Sequence, residues 1–263
     1  MQLYHCLLTL HDNVFFATRE MGILYETEKY LHNWALSFAF FKDAYLPTCY
    51  QSHGQSAQTP TYLESNVEGS LLPLNQAGIY VFPAQPLRWH YQINTFKAAQ
   101  VPYYGQSKQF GAKGANRNYP INYGRAKELG IGSQYRTYIA VADKPNFKIP
   151  RWIRLGKWSA KVEVRTTAIP SSLVRSRSGK YICQHPLNPI DLSPNTQLLL
   201  YNRIVMPPVS LIAQSQLRGD YWKVYGDEWK AWKQQHSSEI QLPDTICLPQ
   251  SVAYGASYVA AVS

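Results

Sequence analysis

The sequence has few of the features that mark a metal or nucleotide enzyme. It holds only four cysteines, Cys6, Cys49, Cys183 and Cys247. No two stand in C-x-x-C spacing, so neither a zinc site nor a dithiol redox site has local support. There is no H-E-x-x-H, no G-x-S-x-G, no P-loop and no cluster of metal-ligating carboxylates. Residues 111–114 (GAKG) and 129–132 (LGIG) are glycine-rich but lack the spacing and following helix of a nucleotide fingerprint. No run approaches the roughly 20 apolar residues of a membrane helix. The opening residues, Met1 to His5, have neither a basic region nor a small-residue cleavage site. No internal repeat is visible. These absences predict a soluble cytoplasmic protein with free thiols, no metal, no cofactor and no membrane contact.

What is present is charge of one sign in one place. Between Arg88 and Lys180 stand eighteen Lys/Arg against three acids, Glu128, Asp143 and Glu163. Residues 1–87 hold three bases against seven acids, and residues 181–263 five against six. The net charge of +10 therefore comes from the central third alone. Such a field concentrates a polyanion at one surface. The same third is rich in rings, among them Trp89, Tyr91, Phe96, Tyr119, Tyr123, Trp152 and Trp158. Cations interleaved with stackable rings suit a single-stranded nucleic acid, whose base faces are open.

The hydrophobic content, 45%, allows a sizeable core, and seventeen prolines with fifteen glycines favour turns and short strands over a helix bundle. Residues 3–10 read as a central apolar strand ending at the polar turn His11-Asp12-Asn13, and residues 15–25 as a connection. Residues 26–41 read as a helix with Leu31, Trp34, Ala35, Phe38 and Phe41 inward and Glu26 and Glu28 at its positive end. Residues 51–60 read as a loop. Strands are predicted at 78–82, 87–96, 135–143, after the turn in 153–166 and, buried, at 196–205. Residues 175–181 read as a small basic turn, 220–235 as a helix with Trp229 and Trp232 inward, and 246–258 as a final strand with loops. Residues 103–132, with six glycines and few aliphatics, cannot pack a core of their own. They read as a long basic loop or hairpin projecting from the domain. The order suits an α+β fold with an antiparallel sheet.

The RNA-binding candidates are the cations and rings of this third. Lys108, Lys113, Arg117, Tyr119, Tyr123, Arg125 and Lys127 form one array, in which Arg offers planar forks for phosphate and Tyr offers stacking. Arg151, Arg154, Lys157, Lys161 and Arg165 could line a second surface, followed by Arg175, Arg177 and Lys180. The tryptophans are expected in the core. Among the histidines, His5 and His11 share a strand face but stand about 20 Å apart. His32 is expected half-exposed on the helix, and His90 is the best placed to meet RNA. None is expected to be catalytic.

Two blocks, LTLHDNVFFATREMGILYETEKYLHNWALSFAFF (8–41) and IRLGKWSAKVEVRT (153–166), closely resemble the handle-binding subunit of the type I-D CRISPR-associated effector complex (Cascade), a member of the RAMP superfamily. The resemblance implies a single RAMP-type domain over residues 1–263, of modified ferredoxin-like (RRM-like) fold, with residues 103–132 as its thumb. It implies binding of the 5′ handle of CRISPR RNA, contact with the backbone and large subunits, and a place near the target DNA where the protospacer-adjacent motif enters. No RNP1-like aromatic signature is visible, so recognition is expected from loops and thumb. The competing expectation is a metal-independent endoribonuclease acting on CRISPR repeat RNA, for which His90, Tyr123 or Lys127 would supply the acid or base.

Overall fold

A computed structural model describes residues 1–41, 44, 46, 52–53, 56–57, 62–63, 70–97, 123–142, 147–236 and 242–257. In chain order these form β1 (Gln2–Leu10), β2 (Arg19–Met21), β3 (Leu24–Glu26), α1 (Asn33–Phe41), β4 (Ser52–His53), β5 (Ser56–Ala57), α2 (Leu72–Gln76), β6 (Ile79–Val81), β7 (Gln85–Arg88), β8 (Tyr91–Lys97), β9 (Tyr123–Leu129), β10 (Gln134–Val141), β11 (Trp152–Leu155), β12 (Ala160–Ile169), β13 (Arg175–Cys183), β14 (Gln197–Ile204), β15 (Leu211–Val224), α3 (Asp227–His236) and β16 (Ile246–Pro249).

The first sheet runs β11-β12-β1-β10-β6, with β7 also on β10. Every pairing in it is antiparallel. β1 is central because it is apolar on both faces: Leu3, Cys6, Leu7, Leu8 and Leu10 are all buried. Of β1, β6, β10 and β12, the sequence order first to fourth sits in space as 4-1-3-2. The connection from β1 to β6 carries α1, which lies against β6 and β11. Phe147, on the way from β10 to β12, packs on Tyr4 and Phe41.

The helix is shorter than expected. Glu26 ends β3, which pairs in parallel with β9. Thr27 Oγ1 is tied to both backbone groups of Phe16 at 2.9 Å, and Leu31 bridges to Ala84. These non-local bonds keep residues 26–31 out of the helix. His32 is buried rather than half-exposed. Its Nδ1 accepts the Trp34 N–H at 3.2 Å, satisfying a donor at the start of α1.

The second sheet runs β13-β15-β14, with β16 also on β15, again antiparallel. The basic turn expected at 175–181 is therefore a strand, held in register by β15. The strand expected at 196–205 is present as β14, but it is an edge strand with Leu199, Leu200 and Tyr201 exposed rather than buried. The helix expected from 220 starts only at Asp227, because β15 runs on to Val224 and Gly226 breaks it at φ +94°. Trp229 is buried there, and Trp232 stacks on it at 5.2 Å.

A third sheet, β2-β3-β9-β8, holds the stem of the expected thumb. β8 and β9 are an antiparallel pair from Tyr91↔Leu129 to Lys97↔Tyr123. The hairpin thus opens at Tyr91 rather than 103, with a break at Trp89-His90 that divides the single strand expected at 87–96. Its stem is packed: Ala126, Glu128 and Leu129 are buried. The connection expected at 15–25 contains the β2–β3 hairpin, and β4 pairs with β5 within the expected loop. One cluster of buried apolar side chains spans both larger sheets.

Candidate nucleic-acid interface

The face of the first sheet at its β11 end follows from strand alternation. Ala160, Val162 and Val164 turn inward beside Leu8, Leu10, Ile153 and Leu155, all buried. The opposite face then receives Trp152 and Arg154 from β11 and Lys161, Glu163 and Arg165 from β12. Trp152 stands across from Glu163, and Arg154 across from Lys161. Lys161 Nζ lies 4.2 Å from the Trp152 ring centroid, and the His11 ring meets the same indole edge-on at 5.0 Å.

The acids on this face do not balance it. Glu163 takes Arg151 at 3.3 Å, Arg165 at 3.5 Å and His11 at 3.6 Å. Burial works to raise its pKa, but the Arg151 hydrogen bond and the Arg165 charge hold it below the usual carboxylate range. Asp12 accepts the Lys161 N–H at 2.8 Å and lies 4.0 Å from Arg154. Among the described residues, this face and its turn thus set Arg151, Arg154, Lys157, Lys161 and Arg165 against two carboxylates, Asp12 and Glu163.

The β11–β12 turn joins this face to the hairpin stem. Gly156 has φ +77°, and a Cβ there would stand 2.7 Å from the Phe15 carbonyl oxygen, so the turn requires glycine. Lys157 N donates to that oxygen at 2.8 Å. Trp158 stacks on Phe15 at 4.6 Å and meets Phe96 of β8 edge-on at 6.5 Å. The expected core tryptophans are exposed instead: Trp89 by 39%, Trp152 by 41% and Trp158 by 49%. Each ring lies beside a cation or another ring, which leaves stacking surface open to solvent.

On the stem itself, Arg125 is exposed but Lys127 is partly committed. Its Nζ pairs with Glu26 at 3.0 Å and lies 4.4 Å over the Tyr91 ring. Tyr123 opens β9. Lys108, Lys113, Arg117 and Tyr119 lie outside the described residues. His90 is exposed, and a Cβ on Gly130 would collide with its ring at 2.2 Å. Arg175, Arg177 and Lys180 are exposed on β13, in the other sheet. The eleven candidates among the described residues thus divide among the β8–β9 stem, the β11–β12 face with its turn, and β13. Sequence reasoning missed Trp152 as a surface ring, and Lys223 and Tyr225, whose period-two spacing places them on one side of β15 and its extension.

The remaining polar chemistry is buried. Burial, aided by the Arg136 charge, lowers the His5 pKa to about 3. Burial lowers His32 similarly and His185 well below its ordinary value. The Cys6 and Cys183 thiols are pushed up to about 12 by burial, so both stay protonated and weakly reactive. Asp191 Oδ2 accepts from Asn33 at 2.8 Å, Tyr80 at 3.1 Å and Trp34 at 3.3 Å, and Oδ1 from Gly255 N at 2.8 Å. This carboxylate ties the C-terminal half to α1 and β6. Among the described residues no three His, Cys, Asp or Glu side chains cluster as metal ligands, and no helix is long and apolar enough to cross a membrane.

The fold and this surface define a mixed protein of antiparallel sheets with few helices, which presents a basic, ring-bearing sheet face beside a hairpin stem. Residues 1–257 match the family of the type I-D CRISPR-associated protein Cas5/Csc1. The chain belongs to that family and is a subunit of a type I-D CRISPR effector. The resemblance carried by residues 8–41 and 153–166 therefore extends over nearly the whole chain. No curated protein matches it.

Proposed function

We propose that this subunit is a non-catalytic RNA-binding protein that holds the 5′ handle of CRISPR RNA. In the assembled complex it caps the filament of backbone subunits and docks the large subunit. That places it near the target DNA end where the protospacer-adjacent motif enters, in antiviral defence in the prokaryotic cytoplasm. No cofactor is needed for this role. The 4-1-3-2 order of β12, β1, β10 and β6 supports a modified ferredoxin-like domain of the RAMP type. The β8–β9 hairpin supports a thumb.

The observation that carries the reading is the β11–β12 face. Lys161 and Arg154 supply phosphate partners, while exposed Trp152, with Trp158 at the adjoining turn, supplies stacking surface. Base–aromatic stacking contributes about 1–3 kcal/mol per base to single-strand binding. The test is binding of a repeat-derived handle RNA against a scrambled strand of equal length. Preference for the handle, lost in Trp152→Ala, is expected; equal binding of both strands would overturn handle recognition. Incubation with unprocessed repeat RNA without metal tests the non-catalytic part, and cleavage that His90→Ala abolishes would overturn it.

A further inference from the structure

Strands β13 and β15 carry a charge arrangement that the sheet itself does not need. Arg175 stands directly across from Lys223, and Lys180 across from Arg218. Like charges in opposed cross-strand positions destabilise a sheet. Alternation puts Arg175, Arg177 and Lys223 on one face, with Tyr225 just beyond the end of β15. Lys180 and Arg218 fall on the other.

On the first face three cations close on one phenol. Arg177 Nη2 donates to the Tyr225 hydroxyl at 3.3 Å. Lys223 Nζ lies 4.5 Å from the Tyr225 ring centroid, and Arg175 Cζ 5.5 Å from it. The Arg177 hydrogen bond and charge draw the phenol pKa below its ordinary range, which reports the positive field. Among the described residues two acids pair nearby. Glu228 Oε2 lies 3.5 Å from Arg175, and Asp227 is paired with Lys230 at 3.1 Å. Both acids are exposed, and such pairs are weak. A phenol oxygen is a neutral acceptor for a guanidinium, whereas a charged phosphate oxygen binds roughly twice as strongly.

We propose that Arg175, Arg177, Lys223 and Tyr225 form a second phosphate-binding site for the backbone of a single-stranded nucleic acid, on a different sheet from the β11–β12 face. The site rests on the nucleic-acid-binding reading above and adds Lys223 and Tyr225 to it. Two guanidinium forks and an ammonium bind neighbouring phosphates, and the half-buried Tyr225 ring receives the adjoining base. Glu228 is the internal competitor, because its carboxylate holds Arg175 as a phosphate oxygen would.

The test is a salt titration of binding with a short single-stranded RNA and with DNA of the same sequence. The proteins are the full chain, Arg175→Gln/Lys223→Gln, Glu228→Gln and Arg154→Gln/Lys161→Gln. Every phosphate deprived of its cation flattens the log K against log salt slope by about 0.7, so the β13–β15 double variant should lose about 1.4 in slope and about 25-fold in affinity at 0.1 M salt. Glu228→Gln should bind roughly two- to fivefold tighter, a gain that misfolding does not produce. A weakening confined to RNA assigns the site to the guide strand. A weakening confined to DNA assigns it to the target, and equal weakening assigns it to the shared backbone. Unchanged binding in the β13–β15 variant, with weaker binding in Arg154→Gln/Lys161→Gln, overturns this site and leaves the function reading standing. No binding by the unaltered chain overturns both.

Discussion

Arg154 of β11 stands directly across from Lys161 of β12, a like-charged pair beside the exposed Trp152. An opposed pair of this kind costs about 0.2–1 kcal/mol. Arg154→Gln is therefore expected to leave folding stability unchanged or slightly raised. RNA affinity should fall about fivefold at 0.1 M salt, the share of one phosphate contact. Urea unfolding and binding titrations on the same variant measure the two effects. Reduced stability with unchanged affinity would make the pair purely structural.

Trp152 separates stacking from charge. Trp152→Ala removes a ring and no charge, so affinity should drop by about 1–3 kcal/mol while the salt slope stays as it was. Lys161→Gln should do the converse to the slope. A salt slope that moves in Trp152→Ala would mean that the ring positions cations rather than stacks.

Asp191 is the buried acceptor for Asn33, Trp34, Tyr80 and the Gly255 N–H. Asp191→Ala strands several donors at once, each costing about 1–3 kcal/mol when left buried and unpaired. The variant should lose at least about 3 kcal/mol. The loosened segment should be the C-terminal one, since Tyr254 also reaches Ser37 at 2.6 Å and Val81 N at 3.0 Å. Faster amide exchange at Gly255 and Val81 measures this; unchanged exchange there would contradict the linking role.

Acid should destabilise the fold. Burial holds His5 and His32 near pKa 3 and His185 well below its ordinary value. Unfolded, each titrates near 6.5. Their contribution is thus complete above pH 6.5 and is lost as pH falls, by roughly 2 kcal/mol per histidine at pH 5. Asp191 works the other way. Burial raises its pKa to about 6, so its protonation favours the folded state as pH falls through that value. At pH 5 it returns about 1.5 kcal/mol. The net should be a clear fall in melting temperature between pH 7.5 and 5, made shallower in His5→Leu. An equal melting temperature at both values would contradict the burial of neutral imidazoles.

The first sheet was legible where one residue in two is apolar. Ala160, Val162 and Val164 alternate, and β1 is largely apolar, so both strands followed from local pattern. What long-range pairing decides was not legible. Glu26 and Glu28 suit a helix start, yet β9, some hundred residues on, draws Glu26 into a strand. Residues 175–181 look like a turn because of Gly179 and the serines, and only β15 makes them a strand. For the same reason the opposition of Arg175 to Lys223 could not be seen. The leucines of β14 suggest burial, but an edge position leaves Leu199 and Leu200 exposed. The tryptophans misled because size favours the core, whereas Trp152 and Trp158 sit on the outward side of a hairpin whose inward positions already hold Ile153, Leu155 and Ala160.

Sequencing of the RNA that copurifies with the tagged chain from its native cell asks directly whether this type I-D subunit holds the handle of CRISPR RNA. The expected result is one dominant class of short RNAs sharing a single repeat-derived 5′ end, with backbone subunits in the same fraction. Heterogeneous RNA, or none, would contradict handle binding and leave a basic single-strand-binding surface without an assigned ligand.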